Sequence, residues 1–152
     1  MVKNIKLTPQ QYEDLLKVVY LGNYLVNNYR PDQPVERFDA LESYLFSLAK
    51  EFGLPGAMDM DEETGEAYPS EEFSQAEDIN LYLDDFIENT FWDELINRLT
   101  SRDLFRKYGQ QIMDSMPWEE LKKKEEPVFQ RYTEEIETYG MENLEIVNRR
   151  PS

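Results

Sequence analysis

Asp59, Asp61 and Glu63 stand at alternate positions, the spacing at which a calcium-binding loop presents its first three ligands. The rest of that loop is missing. Its sixth position needs Gly for a sharp turn and holds Thr64; its twelfth needs a bidentate Glu and holds Ser70. Asp59, Asp61, Glu62, Glu63 and Glu66 therefore read first as a solvated acidic loop, with looser Ca2+ or Mg2+ binding left open to the clustered carboxylates. A second set, Asp84, Asp85 and Glu88, has D-D-x-x-E spacing, and Glu36, Asp39 and Glu42 recur at every third position. Carboxylates on facing helices can hold Mg2+, which takes oxygen ligands and keeps waters. A metal-bound water then supplies a nucleophile without histidine. On that reading Asp85 and Glu88 are the metal candidates of a Mg-dependent helical phosphohydrolase. In a chain with 32 acids such spacings also arise by chance.

Two absences narrow the chemistry further. With no His and no Cys, a Ser-His-Asp triad, a Cys-His dyad, a Glu-x-x-His di-iron site and a Cys zinc site are all excluded. Catalysis would have to run on carboxylates, Lys, Tyr, Ser/Thr or a bound hard cation. No cofactor is implied beyond that weak Mg or Ca option, and a chain without catalytic activity is the preferred reading.

The charge is concentrated in one place. No Lys or Arg occurs between Lys50 and Arg98, and residues 51–97 hold fifteen Asp and Glu. Residues 1–50 carry six acids against six bases, and residues 101–152 carry eleven against nine. The formal charge of −16 is thus one local field, which attracts cations or basic surfaces and repels nucleic acid and anionic lipid. On a helix, Glu77, Asp84 and Glu88 share one face, flanked by Asp78 and Asp85. The plain role of such a face is solubility. The sharper role is docking of a basic protein, and its extreme form is mimicry of a nucleic acid. Direct nucleic-acid binding is not expected, because no basic patch with interleaved aromatics occurs. Arg98, Arg102 and Arg106 recur at every fourth position, and the reading preferred for them is internal pairing, with Glu94 four residues before Arg98. Phe91, Trp92 and Trp118 are expected in the core, with exposed Tyr beside the acidic face as the sign of an interface instead.

These residues must be positioned by helices. Thr8-Pro9-Gln10-Gln11 predicts a capped helix to about Asn28, and a turn at Arg30–Pro34 leads to a second helix ending near Phe52, before Gly53. Residues 54–73 form a long acidic loop or a hairpin turning at Glu63-Thr64-Gly65-Glu66. Ser74-Gln75-Ala76-Glu77 reads as a capping box opening the third helix. Its apolar face (Ile79, Tyr82, Leu83, Phe86, Ile87) shifts phase after Asn89 to Phe91, Trp92, Leu95, Ile96 and Leu99. That shift implies a break near Asn89–Thr90, or a continuous helix that changes packing partners. Thr100-Ser101-Arg102-Asp103 reads as a further start, Pro117 restarts a helix, Pro127 interrupts or begins one, and Gly140 ends it. Val2–Leu7 and Leu144–Val147 could pair as a two-stranded ribbon of the chain ends.

The expected fold is mainly α: a bundle-like single domain over residues 1–152, with five to seven helices and that short β ribbon. Thirteen per cent aromatic residues argue for a folded chain despite the charge. No apolar run approaches a membrane span, and the first residues lack the apolar stretch of a signal peptide, so a cytoplasmic protein without membrane contact is expected. Its expected role is protein–protein interaction with a basic partner. A helical homo-oligomer, whose acidic face serves only solubility, is the remaining alternative.

Overall fold

Thr8 caps the first helix as its sequence requires. Its hydroxyl accepts from the Gln11 amide at 3.2 Å, the Gln11 side chain accepts from the Thr8 amide at 3.0 Å, and Pro9 fills the first turn. In the computed structural model, which describes residues 4–145 and 147, this helix, α1, spans Pro9–Asn27. It is followed by α2 (Glu36–Ser47), whose last turn tightens into a 3-10 segment, Ala49–Phe52. Gly53 ends that segment at φ 79°, in the left-handed region open to glycine.

Residues 54–73 contain a hairpin. Strand β1 (Met58–Met60) pairs antiparallel with β2 (Ala67–Pro69) in the register Met58 to Pro69, Asp59 to Tyr68 and Met60 to Ala67. Alternation decides its faces: Met58 and Ala67 are buried, whereas Asp59 and Tyr68 point outward. Among the described residues the two-stranded ribbon lies here. Residues 4–7 and Leu144, Glu145 and Val147 are irregular, while Val2, Lys3 and Ile146 of the expected end strands lie outside the described residues.

A short helix, α3 (Glu71–Ser74), follows the hairpin, and α4 runs unbroken from Glu77 to Tyr108. The capping residue here is Ser70, not Ser74. The Ser70 hydroxyl accepts from the Phe73 amide at 3.1 Å and donates to the Gly56 carbonyl at 2.7 Å. Ser74 is instead the last residue of α3 and donates to the Glu71 carbonyl. The starts expected near Thr90 and at Thr100 are likewise interior to α4. Beyond it come α5 (Gln110–Ser115) and α6 (Trp118–Tyr139); α6 carries Pro127 within it and ends at Gly140.

Contacts divide the chain into two compact units, Met1–Asp85 and Phe86–Ser152. The phase shift near Asn89 marks this division. Ile79 and Leu83 of α4 belong to the core of the first unit, whereas Ile96, Thr100 and Leu104, at every fourth position, are buried in the second. The continuous helix with a change of packing partner is the alternative that forms.

The first unit is held by aromatic packing. Tyr12 stacks on Phe52 with ring centroids 3.8 Å apart, and Phe73 meets both Phe46 and Tyr20 edge-on. The Tyr12 hydroxyl donates to the Leu45 carbonyl, so its polar tip is satisfied in the core. The second unit buries Ile96, Leu104 and Ile136, with Asp103 as a polar hub. Tyr132 donates to Asp103 at 2.5 Å, and Arg102, Arg131 and Arg106 pair with it at 2.9, 3.0 and 3.7 Å. No helix among the described residues is long and apolar enough to cross a membrane.

Candidate interaction surface

The acidic hairpin is shaped by one of its own acids. Asp61 Oδ1 accepts from the Glu63 and Thr64 amides at 2.8 and 2.7 Å, and Gly65 closes the turn at φ 72°. Hydrogen bonds from the Thr64 and Glu63 backbone hold the Asp61 carboxyl below its ordinary range. Asp61 thus serves the turn. Asp59 stands outward on β1, and Glu62, Glu63 and Glu66 are exposed around the tip. The arrangement is a β-hairpin with a carboxylate-stapled turn, which differs from a calcium loop in that its oxygen ligands do not converge.

The start of α4 continues the acidic surface. Glu77 is exposed in its first turn, where negative charge is favoured by the helix dipole. Asp78 is engaged: Lys17 Nζ of α1 lies 2.6 Å from its Oδ2 and 3.0 Å from Glu13. The hydrogen bond from Lys17 holds the Asp78 carboxyl low, and the bond to Asp78 in turn raises the Lys17 ammonium. Asp84 and Asp85 are exposed at the end of the first unit. Glu88, next on the helix, accepts from the Trp92 indole at 2.5 Å. The five helical candidates are therefore spread along three turns, where Asp78 bonds Lys17 and Glu88 bonds Trp92. Among the described residues, no group of three or more Asp, Glu, His or Cys gathers as a metal-ligand set.

The other carboxylate triplet has a different use. Asn23 of α1 donates to Asp39 at 3.0 Å and to Glu42 at 3.1 Å, and Asn27 donates to Asp39 at 2.8 Å. Amides, not carboxylates, face Asp39 and Glu42 from the neighbouring helix. Burial, only partly offset by Asn23 and reinforced by Asp39, pushes the Glu42 carboxyl up to about 6. Its Oε1 is buried and has no hydrogen-bond partner among the described residues.

Aromatic placement departs from expectation. Trp118 is 69% exposed, with the Lys122 ammonium 4.8 Å from its ring, and Phe91 is half-exposed. Tyr68, opposite Asp59, and Tyr82, on α4 between Asp78 and Asp84, are both half-exposed among the acids. The Glu94–Arg98 pair forms at 2.7 Å as its spacing predicts. Two features were invisible to pattern reading. Asp103 draws Arg131 and Tyr132 from a helix almost thirty residues away, and nothing local signals that. The cleft beside Leu54, Pro55 and Phe73 joins segments far apart in sequence; the apolar residues within an otherwise acidic loop were its one trace.

No protein family matches the chain, and neither a curated protein nor a solved structure matches it.

Proposed function

We propose that this protein is a non-catalytic interaction module that binds a basic partner through the acidic surface of its first unit. One observation carries the reading: the hairpin and the start of α4 hold Asp59, Glu62, Glu63, Glu66, Glu77 and Asp84 outward, with Tyr68 and Tyr82 half-exposed among them. Tyrosine beside charge offers contact area at low entropic cost, which suits an interface better than mere solvation. The first unit carries eighteen acids against six bases, a net charge of −12, so encounter is fast and salt-sensitive. Pull-down from lysate of the source organism at about 50 and about 500 mM salt tests it, since the Debye length falls roughly threefold over that range. Basic proteins captured by the wild type are expected to be lost at high salt and in a variant carrying Glu62→Gln, Glu63→Gln, Glu66→Gln and Asp84→Asn. Capture indifferent to both changes sinks the reading. A catch of nucleic-acid-binding proteins, released by added duplex DNA, identifies the module as a nucleic-acid mimic.

A second reading, self-association, is favoured by a groove between α1 and α2. Val18, Val19, Val26, Phe38 and Leu41 line it with Gly22 and Asn23, no charged residue takes part, and Val18 is 67% exposed. Sedimentation velocity over a hundredfold concentration range decides this, with Val18→Lys expected to abolish any dimer.

A further inference from the structure

The first unit holds a cleft of about 350 Å3 whose walls and rim differ in chemistry. Its walls are apolar: Leu54, Pro55 and Ala57 from the segment before β1, and Phe73 and Ala76 from α3 and the turn after it. Its rim is acidic: Glu13 and Lys17 of α1 on one side, Glu72 of α3 on the other. Lys17 does not neutralise this rim. Its ammonium is shared between Glu13 at 3.0 Å and Asp78 at 2.6 Å, which leaves that trio with one negative charge, and Glu72 adds a second. The floor is open at Gly56. A Cβ built there meets a single neighbour, Glu72 Oε2, at 3.7 Å, and its φ lies outside the left-handed region.

We propose that this cleft receives one apolar side chain from a partner segment in which that residue is flanked by Lys or Arg. The inference rests on the basic-partner reading and names the point where such a partner is anchored. The walls supply burial for an aliphatic or aromatic side chain. Glu72 and the Glu13–Asp78 pair supply counter-charge for the flanking cations, and a cation held between apolar walls and a carboxylate is screened less than one on an open face. A second copy of the chain fits poorly, since it brings another acid-rich unit to an acidic rim.

Two capped pentapeptides are the probes, Lys-Lys-Leu-Lys-Lys and the same peptide with Ser for Leu, titrated into the full-length protein and followed by amide NMR. The Leu peptide is expected to bind about tenfold more tightly, the effect of burying one aliphatic side chain in part, and to shift the amides of Gly53, Gly56, Ala57 and Ala76. Gly56→Leu plugs the cleft from within and is expected to remove that tenfold difference, so that the two peptides bind alike. Glu72→Gln, on the exposed surface, is expected to weaken both peptides about threefold at low salt. Equal affinity of the two peptides for the wild type overturns the cleft proposal but leaves the acidic-surface reading standing, and so does a Leu preference that survives Gly56→Leu. Failure of both peptides to bind overturns the acidic-surface reading itself. Should Gly56→Leu unfold, the wild-type amide shifts and the Glu72→Gln affinities still decide the matter.

Discussion

Glu42 keeps one carboxylate oxygen buried and unpaired while its other oxygen accepts from Asn23. Its carboxyl is raised from 4.5 to about 6, so between those values the folded state holds a proton that the unfolded state releases. Stability therefore falls as pH rises through that window and stays lower above it. Because the side chain is partly exposed, solvent screening reduces the penalty to about 1 kcal/mol. Glu42→Gln keeps the shape and removes the charge; it is expected to stabilise the protein by roughly that amount at pH 8 and by nothing near pH 4.5. Thermal melts of both proteins at the two pH values check this, and a gap independent of pH contradicts it. Asp103 runs the other way. The Tyr132 hydroxyl, then Arg102, hold its carboxyl below the ordinary range, so its contribution is present above that range and fades as pH falls through it. Tyr132→Phe is expected to destabilise by about 1–2 kcal/mol and to move the Asp103 titration upward, visible in carboxyl carbon NMR.

Helix ends were legible where the signal was local and ambiguous where two signals overlapped. Thr8, Pro9 and Gln11 specify the start of α1 through bonds within four residues, and the structure makes each of them. Ser74 has Glu77 at capping-box distance and Ser70 has Phe73 there, so the local pattern does not pick out Ser70. Tertiary bonding does: Ser70 is buried and also reaches the Gly56 carbonyl, so its hydroxyl ties α3 to the segment before the hairpin. Ser70→Ala is accordingly expected to cost about 1–2 kcal/mol, the loss of a cap and a second buried hydrogen bond. Ser74→Ala is expected to change stability by less than about 0.5 kcal/mol. Equal effects in urea melts would show that the cap carries no tertiary tie. The same reasoning explains the turn signals inside α4. Thr90 and Thr100-Ser101 resemble helix starts by type, but Thr100 is buried on the seam with Ile96 and Leu104, and packing overrides a local preference worth only tenths of a kilocalorie. The phase shift at Asn89 was the dependable sign, because burial sets the phase of a helix and two cores demand two phases.

At the scale of the whole molecule, charge and the tyrosine and tryptophan chromophores are divided unequally between the two units. The first carries a net −12, and the second has fourteen acids against ten bases, a net −4, with a network centred on Asp103. The acid-rich half of this division could be read directly from the absence of bases between Lys50 and Arg98. The pairing of Asp78 could not, because Lys17 reaches it across sixty-one positions and no spacing rule anticipates that. Salt should therefore act oppositely on the two halves. In the first unit it screens repulsion among crowded carboxylates, each like pair at helical spacing worth about 0.2–0.5 kcal/mol, and so stabilises. In the second it weakens the partly exposed Arg pairs around Asp103, so little is gained or some stability is lost. The chromophores separate the two signals. Both tryptophans, Trp92 and Trp118, lie in the second unit, whereas seven of the ten tyrosines lie in the first. Raising salt from about 10 to about 500 mM shortens the Debye length from about 30 Å to only a few ångströms. The melting midpoint seen by tyrosine near-ultraviolet dichroism is expected to rise by several degrees, a shift of about 1 kcal/mol for a unit this size, while the midpoint seen by tryptophan emission stays level or falls. A common rise in both would mean that the excess charge acts on the chain as one body, and a fall in the tyrosine midpoint would mean that the acids of the first unit are held by pairs that salt breaks.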